Sequence, residues 1–156
     1  MARSTPATLA LQKAGVAFRL YEYDYDPNAP RIGMQAAEAL GIEPGRLLKT
    51  LMARADKEPV CVLVPSDREV NLKKLAAAAD AKSAAMLGAA EAERITGYHV
   101  GGISPFGQKK HVRVFVERAV LHWTQVVVNG GRRGLQAELA ADDLVRMLAA
   151  EAADVC

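Results

Sequence analysis

The sequence predicts an α+β fold built on a mixed, curved β-sheet. Six or seven short strand-like segments are interspersed with five helical segments, and they do not alternate in the regular β-α-β order of a parallel sheet. The chain has 156 residues, which predicts a single domain over residues 1–156. Hydrophobic residues make up 51% of the chain and charged residues 24%, as in an ordinary globular protein with a core of its own.

Capping residues, turn residues and alternation define the elements of the first half. Thr5 followed by Pro6 is a typical N-cap and first helical residue, and Gly15 ends this helix. Residues 16–23 alternate between two faces, which predicts a strand. The other predicted elements are a loop at 24–31, a helix at 34–40 ended by Gly41, a hairpin of strands 47–53 and 60–64 around the turn 56–59, and a helix at 72–79 capped by Asn71.

The second half continues in the same mixed order. A short strand at 84–87 and a helix at 88–96 ended by Gly97 precede a glycine-rich loop at 101–110. Residues 111–116 present one apolar face and so predict a strand, and 125–129 and 135–139 flank the turn 130–133 as a hairpin. An amphipathic helix begins at Asp142 and places Leu144 and Leu148 on one face.

The aromatic content, net charge and cysteines of the chain argue against several classes of function. Aromatic residues are only 5% of the chain, which argues against a broad base-stacking surface. The net charge of +2 is too small for bulk nucleic-acid binding, although local basic patches can contact phosphate. Cys61 lies in an apolar run and is expected to be a buried hydrophobe, while Cys156 is expected to be frayed. The sequence shows no pattern of a disulfide, a signal peptide or a membrane-spanning segment. We therefore expect a cytoplasmic protein that does not contact membranes.

Lys49 is the first candidate functional residue, because it lies inside the apolar strand LLKTLM of residues 47–52. A lysine on such a strand loses hydration and needs an anion, hydrogen-bond acceptors or a lowered pKa. No carboxylate is close in sequence, so a ligand anion is a reasonable partner. The alternative is that its stem packs on the strand while the ammonium group reaches solvent.

The loop GGISPFGQKK of residues 101–110 is the second candidate, and the turn NGGRRG of residues 129–134 is the third. Glycine allows close approach to the main chain and proline fixes its shape, so amides of the loop are candidates for holding a carbonyl or oxyanion. The turn is a candidate anion-binding nest. The alternative is that both are ordinary surface turns. The basic residues that could contact phosphate are Lys109, Lys110, Arg132 and Arg133.

Motifs for nucleotide, metal and nucleophilic chemistry are missing from the sequence. There is no phosphate-binding loop, no complete G-x-G-x-x-G and no C-x-x-C, and the three histidines lack ligand spacing. Ser104 has no evident base beside it. We therefore expect no cofactor and no metal, and any catalysis must depend on positioning and electrostatics.

Three segments occur in the order LLKTL, GYHVGGISPFGQKK and NGGRRGL, and together they resemble the YbaK family of free-standing aminoacyl-tRNA editing proteins. That family is related to the editing domain inserted in bacterial prolyl-tRNA synthetases. The resemblance runs from about Thr5 to the C-terminal helix. It implies a barrel-like mixed sheet surrounded by helices, and hydrolysis of a mischarged tRNA, with cysteinyl-tRNA(Pro) as substrate and prolyl-tRNA synthetase as a partner.

The resemblance also implies roles for single residues. Lys49 matches the pocket lysine that positions the 3′ end of the substrate, and the loop Gly101, Gly102, Ile103, Ser104 and Pro105 matches the one that embraces the aminoacyl ester. Tyr23, Thr50, Asn129, Gly131 and Gln136 fall at substrate-binding positions. In the cysteine-specific members the thiol of the substrate is thought to attack its own ester, which fits the lack of an enzymatic nucleophile.

Two positions depart from the pattern of the family. Close members tend to have serine at the position of Asn129 and aspartate at the position of Gln136. Glutamine cannot act as a carboxylate base. Glu138, on the same strand face, is the nearest acid that could take its place. The alternatives are therefore a deacylase for another small amino acid on tRNA(Pro), such as alanine, a tRNA- or synthetase-binding module without turnover, or a regulator that binds a small molecule.

Overall fold

A computed structural model describes residues 4–31 and 34–156. Among these residues it contains eight strands, five α-helices and one short 3-10 helix, Arg118–His122. The elements in chain order are α1 Pro6–Ala14, β1 Phe18–Glu22, α2 Gln35–Leu40, β2 Leu48–Ala55, β3 Glu58–Pro65, α3 Leu72–Ala78, β4 Ala84–Met86, α4 Ala89–Thr96, β5 Arg113–Glu117, β6 Gln125–Asn129, β7 Leu135–Ala140, α5 Ala141–Leu148 and β8 Glu151–Ala153.

The predicted helix caps are confirmed. The Thr5 hydroxyl accepts a hydrogen bond from the Thr8 amide at 3.1 Å, and Pro6 begins α1. Gly15 ends α1 with φ of 70°, a conformation that glycine adopts without a steric penalty. The C-terminal helix begins at Ala141, one residue before the predicted start.

The strands form two sheets rather than one. β1, β7 and β6 make a three-stranded antiparallel sheet, and β4, β2, β3, β5 and β8 make a mixed sheet in which β3–β5 and β5–β8 are parallel. A bridge between Leu47 and Val127 links the two sheets, which are not closed into a barrel. The α+β class is confirmed, whereas the prediction of six or seven strands in a single sheet is wrong.

The predicted frayed C-terminus is also wrong. β8 pairs with β5, and the Glu117 carboxylate accepts hydrogen bonds from the amides of Val155 and Cys156, both at 3.0 Å. Only 5% of Glu117 is exposed. The three-residue strand Glu151–Ala153 carries little β-propensity, and the distant carboxylate of Glu117 binds the two residues that follow this strand by two positions or more.

The main core lies between the two sheets. It contains Leu48 and Met52 of β2, and Cys61 is completely buried there, as predicted. A second cluster on the other face of the mixed sheet contains Ala53 and Ala55, with Leu51 packed against it and α3 covering it. Successive side chains of β2 therefore point to opposite cores, which decides where Lys49 and Thr50 point.

The described part of the chain has no helix long and apolar enough to cross a bilayer.

Candidate active site

A cavity of about 520 Å³ lies beside the edge of β2. Among the described strands, β4 pairs with β2 only at residues 53–55, so Leu47 and residues 48–52 of β2 are left to line the cavity. The other walls come from α2, the end of β4 and the start of α4, from Val100, Gly101 and Ile103, and from the segment after β1, the end of β6 and β7. Seven of the predicted site residues line this cavity: Tyr23, Lys49, Thr50, Gly101, Ile103, Asn129 and Gln136.

The other predicted site residues do not line the cavity. Ser104 is completely buried, and its hydroxyl accepts a hydrogen bond from the Phe106 amide at 3.2 Å. Pro105 and Lys110 line a separate cavity against α5. Lys109 is exposed. Gly102, Arg132 and Arg133 belong to the contact between the loop and the turn, whereas Gly131 packs against Thr5 and Tyr98.

Two glycines let the loop 101–106 pack directly on the turn 130–134. A Cβ atom at Gly102 would lie 2.7 Å from the Cα of Arg132 and 2.8 Å from the Arg133 amide nitrogen. Gly101 has φ of 92°, and a Cβ there would lie 2.7 Å from Nε of Arg133. The backbones approach to a distance that only glycine permits, so the loop has a fixed position relative to the turn.

Asn129 ties the same two segments together. Its Nδ2 donates to the Gly101 carbonyl at 3.2 Å, and its Oδ1 accepts from the Gly131 amide at 2.7 Å. The residue is 9% exposed. Asn129 therefore acts as a structural bridge at the cavity wall, and both ends of its amide are already engaged.

Amide availability in the loop is limited. The Gly102 amide donates to the His99 carbonyl at 2.8 Å, so it is not free to hold a substrate oxygen. Gly101 and Ile103 are the members of the 101–105 segment that line the cavity.

Lys49 and Thr50 approach the cavity from opposite faces of β2. The Lys49 side chain shares the face of Leu51 and is 18% exposed, and its Nζ lies 3.4 Å from Oε1 of Glu69. The Glu69 side chain is 91% exposed, so this is a loose surface pair. The anion beside Lys49 is thus a carboxylate 20 residues further along the chain, which sequence proximity did not reveal.

Two buried polar atoms at the cavity lack partners. Within the described part of the chain, neither Thr50 Oγ1 nor Gln136 Oε1 has a hydrogen-bond partner. Gln136 is 5% exposed. Burial raises the pKa of the Tyr23 hydroxyl, and a hydrogen bond with the Gln136 side chain opposes that rise. The Gln136 side chain therefore faces Tyr23, and its carbonyl oxygen is a buried acceptor without a partner among the described residues.

Glu138 does not replace the missing acid. Its carboxylate accepts from the Tyr21 hydroxyl at 2.8 Å and from Arg46 Nη1 at 2.5 Å, and it does not line the cavity. Burial alone would raise the pKa of Glu138, but these two hydrogen bonds outweigh burial and lower it. Glu138 is therefore an ionised structural group.

Cys61 is not a nucleophile for this cavity. Burial raises the pKa of its thiol to about 12, against a weak opposing contact with Gln108. A thiol with such a pKa stays protonated at neutral pH and unreactive. Among the described residues there is also no cluster of three or more His, Cys, Asp or Glu side chains that could hold a metal ion.

Tyr25 and one whole wall of the cavity are not among the residues predicted from the sequence. Tyr25 lies in the loop after β1 and lines the cavity two residues after Tyr23. The tyrosines at 21, 23 and 25 have the spacing of one strand face, a signal that was available. The missed wall comprises Met86, Leu87, Ala89 and Ala92, which the sequence placed in a short strand and the helix after it without indicating a role in binding.

Comparisons with known proteins identify the class of protein to which this fold and cavity belong. Residues 26–147 match the sequence model of the family described as "Aminoacyl-tRNA editing domain". A protein of Enterococcus faecalis named "Putative Cys-tRNA(Pro)/Cys-tRNA(Cys) deacylase EbsC" is 32% identical over 154 residues, which are 98% of this chain and 93% of that protein. The chain therefore belongs to the aminoacyl-tRNA editing family.

One further relative and one solved structure are similar to this chain. A "Proline--tRNA ligase" of Caldicellulosiruptor saccharolyticus is 34% identical over 108 residues, which are 69% of this chain but only 18% of that enzyme. A crystal structure described as "a putative trans-editing enzyme for prolyl tRNA synthetase" superposes with a TM-score of 0.83 at 23% identity and covers 97% of both chains. At that identity the structural match supports the fold alone.

Proposed function

We propose that this protein removes cysteine from mischarged Cys-tRNA(Pro), with the aminoacyl group in the 520 Å³ cavity. The observation that carries the proposal is the convergence of Lys49, Gly101 and Gln136 on one mostly apolar cavity. Thr50 and Gln136 add two buried oxygen atoms for which the described residues provide no hydrogen-bond partner. An α-ammonium group, a ribose hydroxyl or a thiol can each donate to such an atom. The name of the Enterococcus faecalis relative supports cysteine as the amino acid.

The chemistry proposed is attack by the thiol of the substrate on its own ester. A bond forms between sulfur and the carbonyl carbon, the bond from that carbon to the ribose oxygen breaks, and the thiol proton ends on that oxygen. A cyclic thiolactone leaves the tRNA. This route requires no protein nucleophile, which agrees with the buried Cys61 and with the inward-facing Ser104. The protein supplies a fixed position and exclusion of water.

Lys49 is proposed to bind a phosphate near the 3′ end rather than the ester. It lies on the opposite face of β2 from Thr50, and its present partner is an exposed carboxylate, which a phosphate can displace. The amides of Gly101 and Ile103 are then the candidate donors to the ester carbonyl, since these residues line the cavity and Gly102 does not.

Gln136 favours one competing function. A neutral amide at this position cannot act as a base, so the protein is alternatively a tRNA- or synthetase-binding module without turnover. That module would bind the RNA with a steep salt dependence and leave the aminoacyl ester intact.

The test is release of cysteine from Cys-tRNA(Pro) by the wild type, Lys49→Ala and Gln136→Asp. We expect Lys49→Ala to abolish the release of cysteine at substrate concentrations below KM, because the phosphate of the tRNA loses its partner. Lys57→Ala is the matched control, since Lys57 is an exposed lysine in the turn after β2 and does not line this cavity. Wild-type rates for Lys49→Ala would exclude the lysine from the mechanism. Activity that appears only in Gln136→Asp would establish the binding module.

A further inference from the structure

Arg133 has a defined position at the rim of the cavity. Its Nε donates to the Val100 carbonyl at 3.0 Å. Val100 and Gly101 both line the cavity, and a Cβ at Gly101 would lie 2.7 Å from the same Nε. The arginine is exposed, yet the base of its guanidinium group is fixed beside the entrance.

One face of this guanidinium group covers an aromatic ring. The central carbon Cζ of Arg133 lies 5.1 Å from the ring centroid of Tyr25, within the range of a cation–π contact. Tyr25 itself lines the cavity. The planar group is therefore fixed between a hydrogen bond and a ring, and solvent reaches its exposed surface.

The neighbouring Arg132 has a different environment, although the sequence predicts that both arginines contact phosphate. Arg132 Nη2 lies 2.7 Å from a carboxylate oxygen of Glu22, and its Nη1 donates to the Arg133 carbonyl at 2.9 Å. Among the described residues, no carboxylate lies within ion-pair distance of Arg133. Arg133 is thus exposed at the rim and, among these residues, has no ion-pair partner to compete with a ligand for its guanidinium group.

We infer that Arg133 and Tyr25 form a stacking platform for the terminal base of a single-stranded RNA 3′ end. Unpaired bases stack on tyrosine rings and on arginine planes, and the charge of arginine adds to the attraction. The inference rests on the proposed function, because an aminoacyl group in the cavity leaves its ribose at the entrance and the attached base beside it. The low aromatic content of the chain argues against a broad base-stacking surface. A single platform for one base does not require such a surface.

The experiment measures RNA binding, so that it does not depend on turnover. Two labelled RNA hairpins are compared by fluorescence anisotropy: one has the single-stranded 3′ end CCA, and the other has an abasic ribose as its last nucleotide. The proteins are the wild type, Arg133→Gln and Arg133→Lys, the last of which keeps the charge but loses the plane. Arg19→Lys is the control, because Arg19 also lies over a tyrosine, at 5.8 Å from the ring of Tyr21, but away from the cavity.

The platform predicts a specific coupling between base and arginine. Loss of the base should weaken wild-type binding by about tenfold, in the range of one base–aromatic stack, and should have little effect in Arg133→Gln. Arg133→Lys should resemble Arg133→Gln with respect to the base, and Arg19→Lys should resemble the wild type. Equal binding of the two RNAs by the wild type, or full rescue by lysine, would overturn the platform and show a phosphate contact or none.

Deacylation of Cys-tRNA(Pro) by the same proteins separates this inference from the proposed function. Deacylation without coupling between base and arginine rejects the platform and leaves the deacylase in place. Coupling without deacylation establishes the platform and rejects the deacylase.

Discussion

Replacement of Gly102 by alanine tests whether the contact between loop and turn shapes the active site. The new Cβ would lie 2.7 Å from Cα of Arg132, whereas ordinary contacts begin near 3.4 Å, so the two backbones must separate by about 0.7 Å. The obstacle is main chain, which cannot rotate away as a side chain can. Overpacking of this kind costs about 1–3 kcal/mol. For a chain of this size, that lowers Tm by roughly 2–12 °C.

The effect on catalysis should exceed the effect on stability. Gly101 and Ile103, which flank Gly102, line the cavity, and a displacement approaching 1 Å costs about a hundredfold in rate when catalysis depends on position. Tm is measured by thermal denaturation, and the rate by deacylation of Cys-tRNA(Pro). Gly88→Ala is the control, because a Cβ at Gly88 has no atom within 4 Å. A Gly102→Ala protein with the Tm and rate of the wild type would refute the argument.

Three further predictions concern side chains around the site and the C-terminus. Asn129→Ala leaves the Gly101 carbonyl and the Gly131 amide without their partner, so we expect a loss of about 1–3 kcal/mol in unfolding free energy by denaturant titration; an unchanged midpoint would contradict this. Burial would raise the pKa of Glu117, but backbone amides donate to it and lower its pKa below the usual 4.5. Ionised Glu117 therefore stabilises the fold fully above pH 4.5, and this stabilisation is lost as the pH falls through the lower pKa of the folded state. The Tm of the wild type should fall more steeply in acid than the Tm of Glu117→Gln. Parallel curves of Tm against pH would contradict this. Glu69→Gln removes the competitor for Lys49 and should tighten RNA binding at low salt without a change in Tm, whereas unchanged or weaker binding would show that no phosphate displaces Glu69.

Several residues of the candidate site could be predicted because they stand out from the residues next to them in sequence. A lysine in an apolar strand and a loop rich in glycine are visible in a one-dimensional pattern, and Lys49, Gly101 and Asn129 do line one cavity. The capped helix α1 and the two hairpins were predicted for the same reason, since caps and turns depend on neighbouring residues.

Contacts between segments that are distant in sequence could not be predicted. Val155, just after β8, donates to the Glu117 carboxylate 38 residues earlier in the chain, and the partner of Lys49 follows that lysine by 20 residues. The different environments of Arg132 and Arg133 also depend on Glu22 and Tyr25, which come from the end of β1 and the segment after it. Two adjacent arginines in a turn give no sign that one forms an ion pair and the other covers a ring.

The most direct test of the central claim is the rate of deacylation of Cys-tRNA(Pro) beside Ser-tRNA(Pro), which differ in one atom of the amino-acid side chain. Thiol attack predicts that the wild type releases cysteine, with a cyclic thiolactone as the first product, and leaves serine on the tRNA. Release of both amino acids at similar rates would contradict thiol attack and indicate that water is the nucleophile. Release of neither would contradict the deacylase itself.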